Sequence, residues 1–364
     1  MKIGFLTFHK EINYGANLQA YAFLKYLLEN SFDAEIIDLT SNKNIDRRSW
    51  KRKLLHFIKI ILIPTSFKTV LKKKKFFKFQ RNYYHLSSKM FLGDVSILSS
   101  NVNYDYDVII SGSDQLFNLP LSEFTFSYYL PFNHVYKFSY ASSFGRKQIT
   151  DIEKWAILNY LPSFNNLSFR EVTGYESVNS LVQLKERNIV VDPVFLLEKE
   201  KWLSLCKHSS KKDYILVYFM EDSDWLKATI DYVCKIFPTY SLLVIPGTSE
   251  GIKIKNHHKT INTAGPIEFL SLFSNAKIII TNSFHGLSFS FIFNKMVYCC
   301  AHSSKNARLE NLLQLVGEEN KIISKPDYSK IEYINGEEAM TKMEKNINKS
   351  KEYIERCLKE AKND

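Results

Sequence analysis

The chain has 364 residues, 45% hydrophobic and 14% aromatic, with 49 Lys and Arg against 38 Asp and Glu. That length exceeds one ordinary core, and so many Phe and Tyr exclude a disordered chain, so two medium-sized domains are expected. The net charge of +11 is localised: 13 basic and no acidic residues lie from Arg47 to Arg81, and elsewhere 36 basic face 38 acidic residues. This pattern argues against a general nucleic-acid binder and for one localised anionic partner.

The opening strand, Lys2 to Phe8, is a continuous apolar run without alternation, the mark of a strand buried on both faces in a parallel sheet. A polar loop with Asn13, Tyr14 and Gly15 leads into a helical pattern from Leu18 to about Asn30, and Ala34 to Leu39 is the next strand. The basic stretch from Asp46 to about Leu86 interrupts this βαβ opening, with Pro64 separating two expected helices. Strands are expected again at 106–111 and 137–141, then a helix from Thr150, a short strand at 167–170, a helix near 178–184 and a strand at 189–191. After Asp192-Pro193 a second domain restarts the alternation. Its strands are expected at 214–219, 241–245, 277–281 and 297–300, with helices at 225–237 and 266–274, an apolar helix that follows the 282–286 loop and runs to Phe293, and a helix at 307–316. Residues 337–362 form one amphipathic helix rich in Glu and Lys. The reading is α/β, with two Rossmann-like doubly wound domains over 1–192 (with a basic helical insert at about 46–86) and 193–325, and a tail with its helix over 326–364.

The five cysteines form no CxxC pair and no zinc spacing, so reduced thiols are expected. The N-terminus lacks the apolar run and cleavage site of a signal peptide, and the longest apolar stretch, around Phe57 to Pro64, is short and broken by Lys59. A cytoplasmic location is expected. The basic insert interleaves its charges with Trp50, Phe57, Phe67, Phe76, Phe77 and Phe79. Two readings stand side by side: peripheral attachment of 47–81 to the anionic inner face of the cell membrane, and a helical pair packed on its own domain.

Ligands of open α/β sheets bind beyond the carboxyl ends of the strands, and four loops there carry polar or small residues. In the first, Asn13, Tyr14 and Gly15 open a helix and let backbone approach an anion, although an ordinary βα turn has the same look. The second holds Gly112, Ser113, Asp114 and Gln115; Asp114 is a candidate base or sugar-hydroxyl ligand, or alternatively an N-cap. Arg170 ends the third strand and offers a fork of donors to carboxylate or phosphate, with a plain surface charge as the alternative. The fourth holds Asn282, Ser283, His285 and Gly286 between a buried strand and a buried helix, which places His285 at a positive helix end. Ser142, in the loop after 137–141, completes the set of candidate ligands.

Taken together, Asn13-Tyr14-Gly15-Ala16, Gly112-Ser113-Asp114-Gln115, Tyr140 to Gly145, Arg170-Glu171, Asp192-Pro193-Val194 and Thr281 to Gly286 resemble the polysaccharide pyruvyl transferase family over roughly residues 1–316. The resemblance implies a GT-B-like fold with two lobes facing across a cleft. It implies transfer of the enolpyruvyl skeleton of phosphoenolpyruvate to a sugar of a surface-polysaccharide precursor, giving a pyruvate ketal and phosphate. No cofactor is implied beyond phosphoenolpyruvate as donor, and no metal. By position, Arg170 would hold the donor, His285 would act at it, and Asp114 would be the acidic partner. Membrane attachment through the basic insert would suit an acceptor sugar carried on a polyprenyl diphosphate lipid. Many members have Arg-Leu-His where this chain has Ser283-Phe284-His285, so Lys305 or Arg308 would have to supply the missing cation. Two other functions fit the same architecture: a nucleotide-sugar glycosyltransferase, and a non-catalytic scaffold of glycan assembly.

Overall fold

A computed structural model describes residues 1–41, 64–121, 124–207, 213–247, 252, 254, 256–303 and 306–363. In chain order the elements are β1 (Lys2–Leu6), α1 (Tyr14–Glu29), β2 (Asp33–Thr40), α2 (Pro64–Tyr83), β3 (Leu86–Leu92), α3 (Gly93–Leu98), β4 (Val108–Ser111) and β5 (Tyr136–Ser139). There follow α4 (Asp151–Tyr160), α5 (Val172–Val182), α6 (Lys199–Leu205), β6 (Tyr214–Phe219), α7 (Asp224–Ile236), β7 (Ser241–Pro246) and β8 (Lys259–Thr260). The chain closes with α8 (Pro266–Asn275), β9 (Ile278–Thr281), α9 (Phe284–Ile292), β10 (Met296–Cys299), α10 (Ala307–Val316), β11 (Ile334–Asn335) and α11 (Gly336–Ala361).

Two compact units result. Unit 1 comprises 1–57, 80–197 and 346–364, and unit 2 comprises 58–79 and 198–345. The division therefore falls at Leu197/Glu198 rather than after Asp192, and the tail is shared out: most of α11 packs in unit 1, where the Tyr353 hydroxyl donates to Ser139 O at 3.0 Å and Ser350 Oγ accepts from Val191 N at 3.0 Å.

The sheet of unit 1 has the order β3-β2-β1-β4-β5, with every pair parallel. The continuous apolar run of β1 is explained by its central place, where Ile3, Phe5 and Leu6 are fully buried. The strands expected at 167–170 and 189–191 are reduced to isolated parallel bridges, Phe138 with Asn166, Ser142 with Phe169, and Phe169 with Ile189. Each is too short to build a ladder. The edge strand β3, by contrast, alternates weakly and is mostly exposed, so its sequence carries little strand signal. Unit 2 has the order β11-β10-β9-β6-β7-β8, parallel except for β10 with β11.

Pro64 is the first residue of α2, where its missing N–H costs nothing. The first expected helix of the insert, with Trp50 and Phe57, lies outside the described residues. No helix among the described residues is long and apolar enough to cross a membrane. All five cysteines are free, and Cys299, Cys300 and Cys357 are buried. Burial pushes the thiols of Cys300 and Cys357 up to about 12.

One buried carboxylate organises the solvent-side helix of unit 1. Thr150 caps α4 in a capping box with Glu153, whose side chain is fully buried. Glu153 accepts from Thr150 N at 2.6 Å and from Leu119 N at 3.0 Å, and it also pairs with Arg146. Replacing Glu153 with Ala strands those donors, and a loss of about 2–4 kcal/mol in unfolding free energy is expected from denaturant titration. A change below 0.5 kcal/mol would contradict this account.

Candidate functional site

In unit 1 the strand order reverses between β1 and β4, so the loops after these strands diverge and leave a crevice. Side chains tie the two exits together. Thr7 Oγ1 donates to Ser113 O at 2.9 Å and accepts from Gln19 Nε2 at 2.8 Å. Gly112 sits directly against β1; a Cβ there would come within 2.9 Å of Leu6 O. Only glycine allows this approach.

Asp114 follows with φ of 88°, a left-handed conformation unusual for a residue with a side chain, and Ala141 at the end of the neighbouring strand has φ of 52°. Two such residues on adjacent strand exits hold backbone strain where a site is expected. Asp114 caps no helix. Its Oδ1 accepts from Gln115 N at 2.9 Å, and its backbone carbonyl accepts from Ser143 N at 3.0 Å. Ser142 is turned inward instead, donating to Gly112 O at 2.9 Å, and the Gln115 side chain accepts from Asn118 at 2.9 Å. Ser142 and Gln115 thus shape the loop.

Arg170 is not a surface charge. It is 3% exposed, pairs with Asp192 at 2.9 Å and donates to Ser113 Oγ at 2.7 Å. Its neighbour Glu171 is also buried and gathers Ser143 Oγ at 2.7 Å, Phe144 N at 3.1 Å and Gly145 N at 3.2 Å on one oxygen. The 168–171 segment therefore braces the 111–115 and 141–145 loops from below. Asn13 accepts from Ala16 N at 3.2 Å as the cap of α1, which places Tyr14 and Gly15 in the buried first turn. Beside this turn lies a group the sequence gave no sign of: Asp38, contacted by His9 at 3.1 Å and Lys10 at 2.5 Å. Burial works against ionisation of Asp38, yet these two partners outweigh it and hold the carboxyl below its usual range.

In unit 2 the reversal lies between β6 and β9, and Asn282 closes it. Its Oδ1 accepts from Met220 N and its Nδ2 donates to Glu221 O, each at 2.7 Å. Thr281 Oγ1 donates to Tyr218 O at 2.6 Å, and Ser283 caps α9 by accepting from Gly286 N at 3.4 Å. A Cβ on Gly286 would collide with Thr281 Oγ1, so this turn also requires glycine. His285 is thereby fixed in the first turn of α9, a helix whose nine residues are all buried, and its ring lies 5.1 Å from that of Phe284. The amino end of a helix carries partial positive charge and favours anions. Arg308 stacks over Phe284 at 5.9 Å, so one of the two cations proposed from the sequence stands beside the loop; Lys305 lies outside the described residues.

The sequence reading missed the opposite wall. Glu221, in the loop after β6, contacts His302 at 3.0 Å and accepts from Ser303 N at 2.7 Å, which joins the exits of β6 and β10. Its signal was positional: an acidic residue just past the carboxyl end of a buried strand. Among the described residues no group of His, Cys, Asp and Glu could hold a metal ion.

The HepE protein of Anabaena, solved in complex with UDP, superposes with a TM-score of 0.53 at 10% identity, covering 99% of this chain and 100% of its own. The UDP-GlcNAc 2-epimerase of Methanocaldococcus jannaschii, solved with UDP-GlcNAc and UDP, gives 0.51 at 14% identity with 99% of each chain covered. At such identity the likeness is one of fold, that of the GT-B proteins, with two parallel-sheet domains and a C-terminal helix. No curated protein matches the chain in sequence. The sequence model of the polysaccharide pyruvyl transferases matches residues 13–304, a span that takes in the loops of both units. The chain belongs to the polysaccharide pyruvyl transferase family.

Proposed function

We propose that this transferase takes the enolpyruvyl skeleton from phosphoenolpyruvate and closes it as a cyclic ketal on two hydroxyls of a sugar, releasing phosphate. Membership of the family makes it a transferase of polysaccharide biosynthesis; the donor and the ketal are the reading offered here. The observation that carries it is the placement of His285 on the first turn of a buried helix, with the Arg308 guanidinium near the same turn. Dipole and cation suit a donor bearing both phosphate and carboxylate.

A proton from His285 adds to the methylene carbon and makes it a methyl group. One sugar hydroxyl adds to the central carbon and gives its proton to the now neutral His285, phosphate leaves with the electrons of its C–O bond, and a second hydroxyl closes the ring. The second hydroxyl's proton departs with phosphate. In this reading Arg308 holds the anionic donor. Arg170 is a positioning residue, since its Nη2 is engaged by Asp192 and Ser113 and it thereby sets the Ser113–Asp114 turn.

Phosphate release from phosphoenolpyruvate, measured against a panel of nucleotide-linked and lipid-linked sugars, tests the reading directly. Release that depends on one acceptor is expected. Silence across the panel, with no thermal shift on adding phosphoenolpyruvate, would rule the donor out; turnover with a nucleoside diphosphate sugar instead would establish a glycosyltransferase. His285→Ala should lower kcat about 100-fold or more with a smaller effect on KM, whereas Arg308→Ala should chiefly raise KM for the donor, about tenfold. The reverse pattern would exchange their roles. Arg170→Ala removes the guanidinium from a buried ion pair, so unfolding free energy should fall by about 3–5 kcal/mol, read by denaturant titration. Unchanged stability with lost donor affinity would make Arg170 a direct ligand.

A further inference from the structure

Unit 2 contains a second concavity, set apart from the 282–286 loop. Its volume is about 440 Å³, within the range of small-molecule sites, and its walls come from α2, α8, β8 with the 261–263 segment, and Tyr214. Tyr214 opens β6 and Asn275 comes shortly before β9, so the cavity lies at the amino ends of these strands. The six residues of β6, at about 3.3 Å each, separate it from the carboxyl-end loops by roughly 20 Å.

Tyr214, Ile261 and Leu272 supply apolar surface, and Lys68, Lys207 and Lys259 supply charge. Each lysine is held by a different element. Lys68 shares a face of α2 with Lys75, seven residues on, and the Lys75 ammonium is anchored 2.8 Å from Glu268 of α8. The backbone of Lys207 is tied to α8 at both ends of its peptide unit, its N–H donating to Ser271 Oγ at 2.9 Å and its carbonyl accepting from Asn275 at 3.2 Å. Lys259 lies in β8, in register with Leu243.

The one carboxylate in the wall, Glu268, is already engaged by Lys75 and by the N–H of Gly265 at 3.0 Å. Among the described residues, no ion pair engages Lys68, Lys207 or Lys259. Three ammonium groups around one partly apolar hollow repel each other, and an anion placed among them relieves that repulsion. Ammonium groups act as point charges that suit phosphate, while the tyrosine, isoleucine and leucine offer nothing to a small, fully hydrated ion. On the same helix as Lys68, Phe67 and Phe77 are each 56% exposed. Exposed aromatic rings among lysines are the makings of a helix that meets an anionic lipid surface.

We propose that this cavity binds a phosphate-bearing amphiphile, with the three lysines on the phosphate and the apolar wall on its hydrocarbon. The site is independent of the phosphoenolpyruvate reading and needs no turnover to observe. Calorimetric titration of the full chain with farnesyl diphosphate, with inorganic pyrophosphate, and with phosphatidylcholine vesicles with and without phosphatidylglycerol, tests it. Saturable binding of farnesyl diphosphate is expected, with pyrophosphate at least tenfold weaker. Lys207→Glu with Lys259→Glu, both exposed positions, should weaken the amphiphile at least tenfold and leave the melting temperature unchanged. Vesicle binding that requires phosphatidylglycerol and is lost in this variant would identify a membrane lipid as the source; binding of farnesyl diphosphate alone would identify a free amphiphile. Absence of saturable binding by every probe, affinity unaltered by charge reversal, or pyrophosphate bound as tightly as farnesyl diphosphate would overturn the proposal.

Discussion

The constraint on which each unit depends is the divergence of two parallel strand exits, and in each a polar side chain bridges them. Thr7 does this in unit 1 by donating to Ser113 O, and Asn282 in unit 2 by engaging both Met220 and Glu221. Backbone groups at these exits have lost their ladder partners, so without the bridges they would be buried and unsatisfied. The same requirement brings glycine to positions 112 and 286, because the bridging loops lie directly against the strands. A ligand crevice is therefore a by-product of solving a hydrogen-bonding problem, and the polar groups left at its rim are available for chemistry.

Arg170 shows how the chemistry and the scaffold overlap. Buried beside Asp192, it has the charge of a donor ligand and the environment of a structural residue. Its hydrogen bond to Ser113 joins the two roles, since Ser113 precedes the strained turn at Asp114. An ion pair of this kind contributes little net stability relative to apolar packing, although removing one partner leaves the other charge buried and uncompensated.

Much of this was legible in the sequence because hydrophobic period reports burial. The runs at 2–6, 214–219 and 278–281 are central strands, and their uninterrupted apolar character follows from sheets covered on both faces. The helix expected from Thr150 is found at Asp151–Tyr160, capped by Thr150 with Glu153. What escaped was non-local or weakly patterned. β3 is an edge strand with little buried surface, and 167–170 forms bridges without a ladder. The partnerships of Arg170 with Asp192 and of Glu221 with His302 cross 22 and 81 positions, and no spacing rule connects residues that far apart. Position at a strand exit identified the loops; it could not say which of their side chains turn inward, as Ser142 does.

The thiols have a practical corollary. Cys299, Cys300 and Cys357 are buried, whereas Cys206 and Cys234 are half-buried, so an alkylating reagent applied to the native chain reaches Cys206 and Cys234 first. Cys206 directly precedes Lys207, whose backbone is clamped to α8. With Cys234 replaced by serine, a single environment-sensitive dye on Cys206 becomes an optical reporter seated at the rim of the lysine-lined hollow.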